Sequence, residues 1–219
     1  MTILSFHRAG GLLINGTLIV SDLHLEKGTR ASLRRRDGGF VPPYDTRETL
    51  QRVAALVSET RPERLIFLGD TFDDVAGLGR LTDEDRRALE YIIQDREIVW
   101  ITGNHDPLPG DALPGLVAPE YEVGPYLFRH EADPAHDGPQ IEISGHFHPC
   151  AKVAVRGTSL RRPCFIESHN RIILPALGAY TGGLNVLDPA FAPLNLSNFK
   201  VHVLGKDKVF TFPKGQLVE

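Results

Sequence analysis

Three short apolar runs in the first half of the chain each break at a small residue followed by a polar one. "LLINGTLIVSD" (12–22) reads as a hairpin turning at Asn15-Gly16, its second strand ending at Ser21-Asp22. "RLIFLGD" (64–70) and "EIVWITGN" (97–104) are apolar on both faces, which suits buried, parallel strands. Between them, "TRETLQRVAALVSET" (46–60) and "TDEDRRALEYIIQD" (82–95) carry a helical period. Thr46 and Thr82 are the expected N-caps, and Asp85 stands three positions after Thr82, close to a capping box. Strand, helix, strand, helix, strand predicts an α/β sheet with crossover helices. The remainder is richer in strands: "YLFRHE", "QIEISGH", "KVAV", "CFIES", "RIILPA", "NFKVHVL" and "KVFTF", with "GKD" (205–207) as a hairpin turn. Segments 26–45 and 105–122 are the longest predicted to lack regular structure.

Composition narrows the class. The 219 residues suit a single domain over 1–219, and 42% hydrophobic with 24% charged residues is ordinary for a globular protein. No apolar run reaches membrane-spanning length, and "MTILSFHRAGG" lacks the charged and apolar regions of a signal peptide, so no membrane partner is expected. Only Cys150 and Cys164 occur, which argues for a reducing cytoplasm and against a disulfide framework or a cysteine zinc site. A net charge of -4 does not advertise nucleic-acid binding, yet it is compatible with a local basic patch. The densest basic run is Lys27, Arg30, Arg34, Arg35 and Arg36. It reads either as a solvated face or as a guide for a polyanion.

The strand ends carry chemistry. Asp22 and His24 follow the first run, and two apart in extended chain they would share a side. Asp70 ends the second run, with Asp73 and Asp74 after it, and Asn104 ends the third. His130 closes "YLFRH"; His146 and His148 follow "IEIS". Each alone reads as a turn former, a helix cap or a surface histidine. Together they put carboxylate, amide and imidazole groups at the carboxyl ends of strands, where α/β sheets bind ligands. Oxygen and nitrogen donors without a thiolate suit manganese, iron or zinc. His7, His136 and His202 are expected on the surface, His169 in a hairpin turn, and Cys150 as a buried spectator.

"DLH" (22–24), "GDTFD" (69–73), "GNHD" (103–106) and "GHFH" (145–148), in this order and spacing, resemble the calcineurin-like metallophosphoesterase family. The resemblance implies an α/β fold, a two-layer β-sandwich flanked by helices in αββα layers. It implies two divalent ions, Mn2+ foremost with Fe or Zn as alternatives. Asp22, His24, Asp70 and His148 would hold one ion, and Asp70 would bridge to a second held by Asn104, His130 and His146. His105 would meet the substrate phosphate and protonate the leaving oxygen, and Asp106 would orient that imidazole. Asp73 is expected to orient a loop or a ligand.

Further stretches, "SDLHLEKG", "PPYDTRETL", "GHFHP" and "LPALGAYTGGLNV" (174–186), resemble the bacterial branch associated with repair ligase and helicase gene clusters. That branch implies a manganese-dependent DNA endonuclease acting on single strands, with DNA as partner and the repair machinery nearby. A homo-oligomer is compatible with the sequence. Three other readings stand beside it. A hydrolase of nucleotide-linked lipid pyrophosphates usually has Arg at the position of His105. A small-molecule phosphodiesterase or phosphomonoesterase would use the same ligands. A non-catalytic scaffold on this fold usually loses ligands, and here all seven positions are filled.

Overall fold

A computed structural model describes residues 3–35, 41–107, 113–155 and 157–218. The first sheet takes β1 (Leu4–Phe6), β2 (Leu12–Ile14), β3 (Thr17–Val20), β4 (Arg64–Leu68), β5 (Glu97–Ile101) and β6 (Leu116–Ala118), paired in chain order. The remaining strands are β7 (Glu120–Val123), β8 (Tyr126–Arg129), β9 (Ile141–Ser144), β10 (Pro149–Val155), β11 (Thr158–Glu167), β12 (Arg171–Ile173), β13 (Leu184–Asn185), β14 (Lys200–Leu204) and β15 (Val209–Pro213). They form a second sheet in the order β13-β10-β11-β12-β9-β8-β7, with β14 joining β11 to β15. Among the described residues, four α-helices, α1 (Lys27–Arg34), α2 (Asp45–Thr60), α3 (Gly77–Arg80) and α4 (Asp83–Ile93), complete the α/β architecture.

Alternation within strands explains the layers. Ile66, Leu68, Val99 and Ile101 turn inward to meet Phe128, Ile143, Phe165 and Ile172 of the second sheet, forming the sandwich interior. Their neighbours Leu65, Phe67, Ile98 and Trp100 face outward onto Leu50, Val53 and Leu56 of α2 and Leu89 and Ile92 of α4. This is why β4 and β5 read as apolar on both faces. On the far side, Cys164, Ile166, Val201 and Val203 are covered by Phe191 and Leu194 of a 3₁₀ turn, Pro189–Leu194. The fourth layer is therefore a 3₁₀ element rather than a long α-helix. Asn15 and Gly16, both with positive φ, make the β2–β3 turn that pairs Ile14 with Thr17.

Three expectations are corrected. Segment 26–45 contains α1, and 105–122 contains β6 and most of β7. Thr82 caps α4 by accepting from Asp85 N–H, but Thr46 lies inside α2, whose cap position is Tyr44. Thr46 instead accepts from Glu26 N–H at 2.8 Å and donates to Glu26 Oε1 at 2.9 Å, tying α2 to the loop after β3. His202 is buried rather than exposed, stacked 3.9 Å from Phe6 and 2.6 Å from Glu167 Oε2.

What positions the site is strand direction. β3, β4 and β5 are adjacent and parallel, so the residues following them emerge side by side. β8 and β9 are likewise parallel in the second sheet. The carboxyl ends of both sets meet at one edge of the sandwich.

Candidate metal centre

Asp22 and Asp70 leave neighbouring strands, and backbone bonds hold their loops together: His24 N–H donates to the Asp70 carbonyl at 2.9 Å, and Leu25 N–H to Thr71 at 2.9 Å. Asp22 and His24 are not on one side of an extended strand as the spacing suggested. Asp22, His24, Asp70, His146 and His148 all adopt left-handed backbone with φ between 44° and 65°. The side chains converge because the chain curls at each strand end. Such conformations cost a non-glycine residue of order 1 kcal/mol each and cluster at functional sites.

Two groups of donors result. In the first, His148 Nε2 lies 3.0 Å from Asp22 Oδ1 and 3.4 Å from His24 Nε2. The donor atoms of these three residues all lie within 4.8 Å of one another. In the second, His130 Nε2 is 3.0 Å from Asn104 Oδ1, 3.3 Å from His146 Nδ1 and 3.3 Å from Asp70 Oδ2. His146 Nδ1 is 3.1 Å from the same Asn104 oxygen. Asp70 Oδ2 also lies 3.7 Å from His24 Nε2, so this carboxylate stands between the groups.

The tautomers are set from behind. His130 Nδ1 donates to the Leu68 carbonyl at 3.0 Å, and His24 Nδ1 to the Asp73 carboxylate at 3.0 Å. Each ring therefore turns its Nε2 toward the site, as oriented metal-ligating histidines do. Asp22 Oδ2 is satisfied by Ser21 Oγ–H at 2.5 Å and His146 N–H at 3.0 Å, whereas buried Asp22 Oδ1 makes no well-aligned hydrogen bond and has only the His148 ring nitrogen 3.0 Å away. An acceptor left open beside imidazole, amide and carboxylate donors is what a divalent cation completes. The residues fit the ions.

Two glycines allow the crowding. A Cβ on Gly145 would stand 1.8 Å from Ser21 Oγ, and one on Gly103 would stand 2.1 Å from Asp70 Oδ1. No side chain is tolerated where these turns cross the aspartates.

Electrostatics follow burial and pairing. Burial opposes ionisation of Asp22, yet His148, His130 and Ser21 hold its carboxyl at about 2. Burial likewise pulls His130 down, but the Asp70 and Asp22 carboxylates outweigh it and lift the imidazole to about 9. Asp73 sits well below the usual carboxylate range: burial is overcome by His24, Arg30 and Lys27.

His105 lies at the mouth, its ring edge-on to His24 with centroids 4.9 Å apart. The His105 backbone N–H donates to Asp70 Oδ1 at 2.9 Å. The expected pairing with Asp106 does not form. His105 Nδ1 donates to the Asp73 carbonyl at 2.9 Å and has Arg30 Nη1 3.2 Å away. Asp106 is turned under the Gly103 turn, where its Oδ2 accepts from Phe72 N–H at 2.9 Å. Burial, with the Asp70 charge adding, pushes the Asp106 carboxyl up to about 7. The Asp73 carbonyl thus holds the imidazole, and the sequence sign of this was the second aspartate of "GDTFD".

The basic run divides. Lys27, Arg30 and Arg34 stand at i, i+3 and i+7 of α1 and share one face. Lys27 Nζ is 3.5 Å from Asp73 Oδ1, and Arg30 bridges Asp73 at 2.7 Å and Asp74 at 3.3 Å. Arg34 is exposed, Arg35 is the C-cap, and Arg36 lies outside the described residues.

A calcineurin-like phosphoesterase family profile matches residues 17–149, most of the chain. The chain belongs to the calcineurin-like phosphoesterase family. Its fold is similar to that of the nuclease MPE of Pseudomonas putida, at 25% identity over 97% of this chain and 99% of that one, with a TM-score of 0.69. Yfce, a phosphoesterase from E. coli, covers 90% of this chain and 97% of its own at 13% identity, with a TM-score of 0.45. No curated protein sequence matches. Family and fold support metal-dependent phosphoester hydrolysis, and the fold implies a dinuclear divalent centre. Among the described residues no helix is long and apolar enough to cross a membrane.

Proposed function

We propose that this protein is a phosphodiesterase that cuts DNA, acting on single strands in repair, with manganese as its metal. The observation that carries the reading is the convergence of seven donor residues into two groups sharing Asp70. The likeness to a nuclease along nearly the whole chain supports DNA over a small ester. Asp22, His24, Asp70 and His148 would hold one ion, and Asp70, Asn104, His130 and His146 the other. When bound, the pair supplies Lewis acidity to the phosphate oxygens and lowers the pKa of the attacking water.

The chain's own residues do the rest. His105 donates through Nδ1 to the Asp73 carbonyl, so its Nε2 is the nitrogen available to the substrate. As an imidazolium it would hand that proton to the leaving 3′ or 5′ oxygen, and Arg30 beside it would draw in the phosphate. Asp73 positions both His24 and Arg30. A single domain in the cytoplasm, working beside a repair ligase and helicase, completes the proposal.

The test is incubation of the purified protein with manganese and labelled single- and double-stranded DNA, beside an Asp70→Asn variant. Cleavage of the single strand that the variant loses supports the reading. Hydrolysis of aryl phosphodiesters with no cleavage of either DNA would instead make this a small-molecule phosphodiesterase.

A further inference from the structure

The motif 174–186 supplies no donor to the metal centre, although Gly178 N–H donates to the Asp22 carbonyl at 3.1 Å, and its loop walls a cavity of about 300 Å³ that opens beside His148. Ala176, Gly178, Ala179, Thr181, Gly182 and Gly183 form one side. The other side carries Arg52, Arg161 and Arg162, and no carboxylate is among the lining residues. In a chain of net charge -4, three arginines among the residues lining one opening are a departure from the average surface.

Two of the three are fixed in place. Arg52, on α2, donates to the Leu177 carbonyl at 3.2 Å and pairs with Glu48, and Arg161, on β11, donates to the Gly183 carbonyl. Both bind the loop at its two ends, which keeps the opening formed. Arg162 is exposed and has no acceptor among the described residues. Its five donors are free for a ligand. Arginine is the side chain suited to phosphate, which it meets with two parallel bonds.

The cavity shares His148 with the metal centre, whereas α1 approaches that centre through Asp73, on the His24 side. We propose that this cavity is a second anion site, taking a backbone phosphate next to the scissile one, so that a nucleic-acid strand crosses the metals from the α1 face to the Arg161–Arg162 face. The proposal rests on the DNA-cleaving reading and adds the site that gives it directionality. Phosphate contacts of this kind position a strand without reading its bases.

The test separates binding from cleavage. Fluorescence anisotropy of a labelled oligothymidylate with metal-free protein, over a range of salt, is compared for the parent, Arg161→Ala with Arg162→Ala, and Arg162→Glu. The last leaves the Arg161 anchor intact, and circular dichroism checks both folds. The double variant should bind about tenfold or more weaker, and its salt slope should flatten by about 0.7, the contribution of the one phosphate left without its arginine. Arg162→Glu should also weaken binding. In manganese, kcat/KM on DNA should fall at least tenfold further than on an aryl phosphodiester. Parent-like affinity and salt slope in both variants would overturn the second site while leaving DNA cleavage standing. A parent that binds the strand through these arginines but never cuts it would overturn the nuclease reading and keep the site. A parent that binds no DNA overturns both.

Discussion

His105 is the residue on which the chemistry turns, because it stands beside both donor groups without being needed by either. Its ring is near enough to His24 and Asp70 to be counted among candidate ligands, yet Nδ1 is committed to the Asp73 carbonyl. Acting as a general acid, it should matter most when the leaving group is poor. His105→Ala should keep both metals by elemental analysis and lose about 10²–10⁴-fold on DNA, with a smaller loss on an aryl ester. Loss of metal in that variant would make His105 a ligand instead. His130 yields a second outcome. Its metal-free pKa of about 9 lies above the ordinary value of 6.5, so at neutral pH the empty protein carries an imidazolium that a cation must deprotonate. Metal loading at pH 7 should release this proton, measurable by calorimetry in buffers of different ionisation enthalpy. Affinity should climb with pH and level off above about 9. The sign is the same for the empty fold: protonated His130 stabilises it below pH 6.5, and that contribution disappears as pH passes through about 9.

Among elements, α1 was the hardest to read. "KGTRASLR" offers no apolar stripe, and the helix buries only Gly28. It is held by polar contacts from other elements: Arg30 to Asp73, Gly28 N–H to Asp45 at 3.0 Å, and Ser32 Oγ with both polar groups of the Val41 backbone. Periodicity cannot show such anchoring, nor does it show that Thr46 serves Glu26 rather than a helix end. The β2–β3 turn, the Thr82 cap and the apolar runs of β4 and β5 were legible because their causes are local. The donor set was legible through its motifs, but the partner of His105 was not, since Asp106 is adjacent in sequence and turned away in space. The helix also sorts the arginines. Lys27 and Arg30 already serve Asp73, whereas Arg34 stands further along the same face. Changing Arg34, Arg35 and Arg36 together to Ser should reduce DNA cleavage in a salt-dependent way, the slope flattening by about 0.7 for each phosphate that is no longer neutralised. An aryl diester should be affected much less. Parent-rate cleavage with the parent salt slope would make this end of α1 a solvated face.

For the whole molecule, the metal centre is a seam. Asp22, Asp70 and Asn104 belong to the first sheet's loops, and His130, His146 and His148 to the second's. Cations bound there join the two sheets at an edge that apolar packing does not close. Saturating one site at a hundred times its Kd stabilises the fold by about 2.7 kcal/mol, which for a chain of this size raises Tm by about 5–10 °C. Manganese added to chelator-treated protein should give a rise of that order per site. Asn104→Ala and His130→Ala should each lose part of it, and an unchanged Tm in the parent would mean that the donors hold no ion between the sheets.

The left-handed backbone at Asp22, His24, Asp70, His146 and His148 also changes how substitutions there are to be interpreted. An L-residue with a Cβ resists this conformation, and alanine, lacking any side chain to fasten the turn, keeps the resistance while losing the reason for it. Glycine has none. Asp70→Gly and Asp70→Ala should therefore be equally dead as enzymes but unequal as folded proteins, with the glycine variant more stable in chelator by about 1 kcal/mol. A survey of variants scored by activity alone would rank the two alike; scored by abundance in cells, it would set them apart. Positions that such a survey marks as intolerant to alanine yet forgiving of glycine would trace the curled turns of this site without any knowledge of its ligands.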